Sequence, residues 1–316
     1  MQELTPTRNL LIVQTPDEQD PADWIAVKQR IETAAPDIEV AIANNRNRNS
    51  VTARWQVRRP SLVFSPVRLI DFVPRGGTVY CGHVLGKNEQ MRRLSAIGVP
   101  TPRTEMLSRQ TAAAITTSAG FGEYVIVKPN NMNSGVGVRL VRTADLVARY
   151  DELTASAHDQ LLVEPYIDHS DDNYPSDYRI LIMFGQPLYC VYSRWVEKRR
   201  PLSEIAADPD GIIASNAHTP DGRARALTKD PEVLSLASRC QAAFPECPVL
   251  GVDIIRDSQT GELYVLEVNP HGAVWHLSSP YAKTMDPDHV RQRYAQFNAL
   301  DRIAELLIEK TRTEAS

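Results

Sequence analysis

A chain of 316 residues, 42% apolar and 23% charged, has the length of about two domains and enough apolar content for a packed core, which excludes a disordered chain. Lys plus Arg number 35 against 39 Asp plus Glu, a net charge of -4, and that near-balance speaks against binding by blanket neutralisation of nucleic acid or anionic lipid. The longest apolar stretches, such as residues 10–13, fall far short of the ~20 residues of a bilayer helix. No leader-like segment is visible, so a cytoplasmic protein without membrane or nucleic-acid partners is the expectation.

The first ninety residues alternate short strands and helices. NLLIVQT reads as a buried strand and ADWIAVKQRIETAA as a helix with Trp24, Ile25, Val27, Lys28 and Ile31 on one side. IEVAIA, SLVFSP and TVYCG follow as strands, giving a small α/β domain over residues 1–86 with a largely parallel sheet. Between them runs a stretch with Arg46, Arg48, Arg54, Arg58 and Arg59 and no acid from Glu39 to Asp71. It reads as a solvated loop or as a clamp for an anionic substrate.

KNEQMRRLSAIG is a helix stopped by Gly98, and TAAAITTSAG is a second. YVIVKP, VRLV and QLLVEPYI are strands, and TADLVARYDELTAS is a helix that Thr143 is expected to cap. DYRILIMF and PLYCVYSR form a hairpin with a type II′ turn starting at Gly185. A long connection over residues 196–229 precedes the helix DPEVLSLASRCQAAF, and the tail 289–310 reads as one amphipathic helix. The four cysteines, Cys81, Cys190, Cys240 and Cys247, form no CxxC pair; buried thiols are the expectation.

The strongest constellation is LGVDIIRDSQTGELYVLEVNP. A hairpin centred on Thr260 sets Asp253 opposite Glu267, with Asn269 two residues on and therefore on the same face. Facing carboxylates repel, so something positive must sit between them, and an all-oxygen set without His or Cys suits Mg²⁺ better than Zn²⁺. Mg²⁺ held by few protein groups implies nucleotide phosphates, yet the chain has no GxxxxGK[ST] loop and no GxGxxG after the first strand. Lys128, the one charged residue of YVIVKP, precedes a loop with Ser134, Gly135 and Gly137 and can hold phosphates. A snorkelling lysine before a plain turn fits the same residues. If Lys128 serves phosphates alone, replacing it should leave the stability of the free protein unchanged.

In their order, GKNEQMRRLSAIGVPTPRT, VIVKPNNMNSGVGVRLV, LLVEPYI, SDYRILIMFGQPLYCVYSR and VLGVDIIRDSQTGELYVLEVNPHG resemble the ATP-grasp superfamily, in its carboxylate–amine ligase branch with ribosomal-protein glutamate ligases and glutathione synthetase. The resemblance spans residues 86–272. It implies an ATP-grasp fold, α/β and α+β, over residues 87–316, with a small lid subdomain at about 103–165 and a catalytic subdomain at about 166–316. It implies that Lys87 and Lys128 bind phosphates, that the loop of Ser134, Gly135, Val136 and Gly137 closes over them, and that Glu164, Pro165 and Tyr166 read adenine. Asp177 falls at a ribose position, and Ser215 and Asn216 align more loosely beside ATP and metal. Asp253, Glu267 and Asn269 match the metal ligands, with Mg²⁺ or Mn²⁺ as the ion, and Arg179 and Arg194 match arginines that face the reaction centre. His271 and Gly272 stand where a substrate contact would fall, though a hydrogen-bonded structural histidine fits His271 as well. The activity implied is amide formation between a small-molecule or peptide carboxylate and an amine through an acyl phosphate, with a homodimer compatible. A kinase on the same fold and a non-catalytic ATP-binding regulator are the rivals.

Overall fold

Five consecutive buried residues, 9–13, put β1 (Arg8–Gln14) at the centre of the first sheet, because a strand covered on both faces reads as an unbroken buried run. The computed structural model describes residues 5–48, 58–132, 135–155, 159–208, 211, 222–271 and 274–316. α1 (Pro21–Ala34) begins where the Asp20 carboxylate accepts from the Ala22 amide, with Pro21 in the first turn. It buries Trp24, Val27 and Ile31, whereas Ile25, expected on the same side, is 51% exposed. β2 (Ile38–Asn44), β3 (Ser61–Phe64) and β4 (Thr78–Tyr80) complete an all-parallel sheet in the order β2-β1-β3-β4.

After α2 (Lys87–Ala96) the chain leaves the helix through Gly98 at φ +71°. A second, antiparallel sheet follows from β5 (Glu105–Met106), β6 (Tyr124–Pro129), β7 (Arg139–Arg142) and β8 (Leu161–Pro165), in the order β5-β8-β6-β7. Its helices are α3 (Arg109–Thr116) and α4 (Tyr150–Ala155). The single helix expected from Thr143 onward is instead a 3₁₀ turn over Thr143–Asp145 followed by α4. The Thr143 hydroxyl donates to the Gly122 carbonyl, so it does not cap.

The third sheet holds β9 (Ser170–Asp171), β10 (Tyr174–Met183), β11 (Gln186–Trp195), β12 (Arg223–Leu227), β13 (Val249–Arg256) and β14 (Leu263–Asn269). Its antiparallel path is β12-β11-β10-β13-β14, with β9 on β10. The turn between β10 and β11 is Phe184–Gly185, with φ +47° and +78°. Two positive φ values make it type I′ centred one residue earlier than expected. A phenylalanine tolerates that conformation because its ring packs on Tyr80 and Phe64, with centroids 5.1 and 6.3 Å away. The connection expected over residues 196–229 contains α5 (Leu202–Ala207) as well as β12, and α6 (Pro231–Cys240) covers the sheet.

The expected C-terminal helix is two, α7 (Pro287–Gln296) and α8 (Ala299–Glu314), because Asn298 turns the chain at φ +51°. α8 returns to pack on α1, β1 and β3. One core then runs from Leu10, Ile12 and Phe64 through Leu181 and Tyr189 to Ile303 and Leu307, so the first and third sheets are packed together. The second sheet has a core of its own around Val125, Val141 and Val163. Cys190, Cys240 and Cys247 are free and buried, and burial pushes each thiol up to about 12, which removes them as nucleophiles. Cys81 is partly exposed. Among the described residues no helix is long and apolar enough to cross a membrane.

Asp23 of α1 fastens the segment after β14 to the first sheet. It accepts from Trp275 Nε1 at 3.2 Å, Ser278 Oγ at 2.6 Å and Tyr294 OH at 2.8 Å. Asp23→Ala orphans three donors, and we expect it to lower stability by about 1–3 kcal/mol in chemical denaturation. An unchanged midpoint would show that these bonds are re-made to water.

Candidate active site

The geometry begins with the register of β13 on β14. Near the loop Arg256 pairs with Leu263 and Ile254 with Val265; a bulge then leaves Leu266 out of the pairing, and Asp253 meets Glu267 directly. Asn269 Nδ2 lies 3.5 Å from Asp253 Oδ2, so the three expected side chains share one face. The repulsion between the carboxylates is relieved by cations from two neighbouring elements. Arg179, across from Asp253 on β10, donates to it through both Nε and a terminal nitrogen, the latter at 2.7 Å. Lys87, at the first turn of α2, places Nζ 3.0 Å from Glu267 Oε1 and 2.6 Å from the Met132 carbonyl. Burial pushes Asp253 up to about 6, against the pull of the Arg179 guanidinium and with the help of Glu267.

A third pair stands on the second sheet. Lys128 on β6 and Glu164 on β8 are 2.7 Å apart, 7% and 3% exposed, and Thr104 Oγ1 also donates to Glu164 at 2.7 Å. Three cations and three carboxylates thus converge on one cleft between the second and third sheets. Its outer half, about 230 Å³, has apolar walls of Ile126, Val138, Tyr166, Ile255 and Leu266 beside the lysines. Its inner half, about 480 Å³, is walled by Tyr189, Ser193, Arg225, His276 and Arg293. Asp177, Arg179, Arg223, Asp253, Glu267 and Gly135 border both halves.

Of the residues singled out in the sequence, Lys87, Lys128, Gly135, Val136, Glu164, Pro165, Tyr166, Asp177, Arg179, Asp253 and Glu267 border the outer half. Asn269 and His271 border the inner one. Gly135 and Gly137 both take positive φ, +73° and +74°, in the turn after β6, where side chains are disfavoured. The side chain of Glu164, a residue expected at the adenine, neutralises Lys128. Asp177 accepts from Arg223 at 2.7 Å, and Arg223 lies 4.6 Å over the Trp195 ring. Burial holds His271 below the usual histidine range.

Arg194 is a correction. Ser193 faces the cleft, so its strand neighbour points the other way; the Arg194 guanidinium sits 4.1 Å over Tyr174, with Nε 3.5 Å from Asp171. Two members of the arginine run have acidic partners: Arg46 Nε lies 3.5 Å from Asp17, and Arg59 pairs with Glu39, whereas Arg48 and Arg58 are exposed. Ser134, Ser215, Asn216, Gly272 and Arg54 lie outside the described residues. Sequence reasoning missed Ser193, Arg223, Arg225, His276 and Arg293. The alternation in RARAL was the available signal for two of them, since it sets both arginines on one face of β12.

Residues 79–279 match the family described as a RimK-like ATP-grasp domain. A D-alanine--D-alanine ligase of Pseudomonas putida (strain GB-1) is 26% identical over 183 residues, 55% of this chain and 50% of that protein, so the chain spans about half the length of the curated relative it matches. A Chryseobacterium gregarium RiPP-associated ATP-grasp ligase, solved with ADP and a leader and core peptide, superposes with TM-score 0.55 at 12% identity, covering 98% of this chain and 99% of that one. The D-cycloserine synthetase DcsG gives 0.53 at 16%, covering 95% and 99%. These structural likenesses establish the fold.

The buried Lys128–Glu164 pair changes what a lysine variant should do. Lys128→Met strands a buried carboxylate, and losing one partner of such a pair costs about 3–5 kcal/mol. We therefore expect a large drop in thermal midpoint for Lys128→Met and recovery in Lys128→Met/Glu164→Gln, with nucleotide affinity lost in both. A double variant that regains stability and binds nucleotide normally would make the lysine purely structural.

Proposed function

The chain belongs to the RimK-like ATP-grasp family, and we propose that it is an ATP-dependent ligase joining a small-molecule or peptide carboxylate to an amine. The observation that carries this reading is the convergence of three buried or half-buried cations, Lys87, Lys128 and Arg179, on one cleft, each held by a carboxylate. The outer slot accepts adenine against Tyr166 and Leu266, Asp177 meets the ribose, and the two lysines take the phosphates. The glycine turn at residues 135–137 covers them.

Asp253, Glu267 and Asn269 are hard oxygen donors on one face, which fits Mg²⁺, or Mn²⁺ in its place. Bound there, the ion supplies charge neutralisation and polarisation of the phosphates. The lysines and Arg179 stabilise charge on the transferring oxygens. A substrate carboxylate oxygen attacks the γ-phosphorus, the bond from phosphorus to the β,γ-bridging oxygen breaks, and ADP leaves. The amine nitrogen then attacks the acyl carbon and gives up a proton as inorganic phosphate departs. Arg179, at the border of the two halves, is placed to hold the group passing between them. The second sheet and its glycine turn, on closing over the phosphates, would exclude water so that amine, not solvent, meets the acyl phosphate.

Hydroxylamine tests the assignment with an acid panel of amino acids, diacids and short peptides. A ligase releases ADP and phosphate only with its acid and yields a hydroxamate, and both chelation of divalent ions and Glu267→Gln abolish this. A stable phosphoester without hydroxamate would identify a kinase; ATP bound and released unchanged would identify a regulator.

A further inference from the structure

The inner half of the cleft carries positive charge that the nucleotide chemistry does not use. Its carboxylates among the described residues are Asp177, Asp253 and Glu267, and each already has a cation: Arg223, Arg179 and Lys87. Arg225 and Arg293 also line it, from β12 and α7, and neither has a carboxylate partner among the described residues. Arg293 is 3% exposed. One of its terminal nitrogens donates to the His276 carbonyl at 3.1 Å, the other lies 3.5 Å from His289 Nε2, and its buried Nε has no partner. Its guanidinium carbon lies over the Tyr189 ring, 5.2 Å from the ring centre.

A guanidinium anchored through its terminal nitrogens, with its Nε–H unpaired and no carboxylate beside it, keeps donors to spare for a planar anion. The surroundings point the same way. Burial, Arg225 and Arg179 all depress Arg293, and burial with the three arginines holds His276 at about 3, so the imidazole stays neutral. Uncompensated buried charge of one sign is unfavourable until an opposite charge arrives.

Resting on the ligase reading, we infer that Arg225 and Arg293 bind a spectator carboxylate: a carboxylate of one substrate that is not the one activated. Its two sources are the α-carboxylate of an amino acid that brings the amine, and the second carboxylate of a diacid that brings the acyl group. Both place an anion in the inner half while the reacting group lies at Arg179, on the border with the phosphates. The site thus selects substrates by a charge the reaction itself leaves untouched.

Binding is measured by calorimetry with Mg²⁺ and AMPPNP present and again without them, using L-alanine, D-alanine, L-glutamate and their α-amides, succinate and succinamate, and inorganic phosphate. Acids should bind and amides should bind at least about tenfold more weakly, the effect of losing a charge-assisted contact. The amino-acid arm and the succinate arm separate the two sources. Arg225→Gln, at a half-exposed position, should weaken the preferred acid about tenfold or more while leaving AMPPNP affinity and the thermal midpoint of the free protein unchanged. Arg293→Lys should keep the charge but lose the planar fork, and weaken the acid as well. Amides that bind as well as acids, or variants that bind acids as wild type does, overturn the proposal. A response to phosphate alone overturns it in favour of a phosphate site. AMPPNP failing to bind wild type would instead defeat the ligase reading, while the nucleotide-free arm still reports on the arginines.

Discussion

Placing Asp253 directly across from Glu267 is the constraint on which the rest of the site depends. Two carboxylates so close in a half-buried cleft are tolerated only with opposite charge beside them. In the free protein Arg179 and Lys87 supply it, one from the adjacent strand and one from the start of a helix. Lys128 and Glu164 repeat the arrangement on the facing sheet. The nucleotide half of the cleft is therefore balanced before any nucleotide enters. A divalent ion and a polyphosphate can be taken up together by exchange of partners, carboxylates to the ion and cations to the phosphates, with a smaller change in buried net charge than the polyphosphate alone would bring. Either one alone leaves charges unmatched, which is why nucleotide and metal dependence belong to a single arrangement.

The packing explains how charges from separate elements are held together. The first and third sheets share one core, and α8 closes the first sheet from the far end of the chain. The segment after β14 is fixed by Asp23, by the Trp24–Trp275 contact at 4.8 Å and by Tyr189 OH donating to the Val274 carbonyl. Gly82 lets the end of the first unit approach: a Cβ there would meet the Pro270 carbonyl at 2.9 Å and the Arg68 amide at 2.8 Å. The second sheet, with its separate core, contributes Lys128, Glu164 and the glycine turn. The nucleotide half is thus built from two packed bodies, and the inner half almost wholly from one.

Much of this was legible in the sequence, for definite reasons. Strand parity alone put Asp253, Glu267 and Asn269 on one face, although the bulge at Leu266 that completes the register left no mark in the residues. Parity also exposes the error over Arg194, since Ser193 and Arg194 cannot both face the cleft. Phe184 in a positive-φ turn, the break at Asn298 and the 3₁₀ turn at Thr143 depend on tertiary contacts or on side-chain bonds that local patterns do not carry. Arg225 and Arg293 were invisible as a pair because they converge from β12 and α7, far apart in the chain. The Lys128–Glu164 pair was hidden in the same way, each residue looking like a separate nucleotide contact.

The exchange of partners in the cleft is tested most directly by the crystal structure of the complex with Mg²⁺ and AMPPNP. It should show oxygens of Asp253, Glu267 and Asn269 around the ion at about 2.0–2.1 Å, with Arg179 and Lys87 turned from their carboxylates to the phosphates. Nucleotide bound elsewhere, or bound in the cleft with the Arg179–Asp253 and Lys87–Glu267 pairs intact and no ion between the carboxylates, would contradict it.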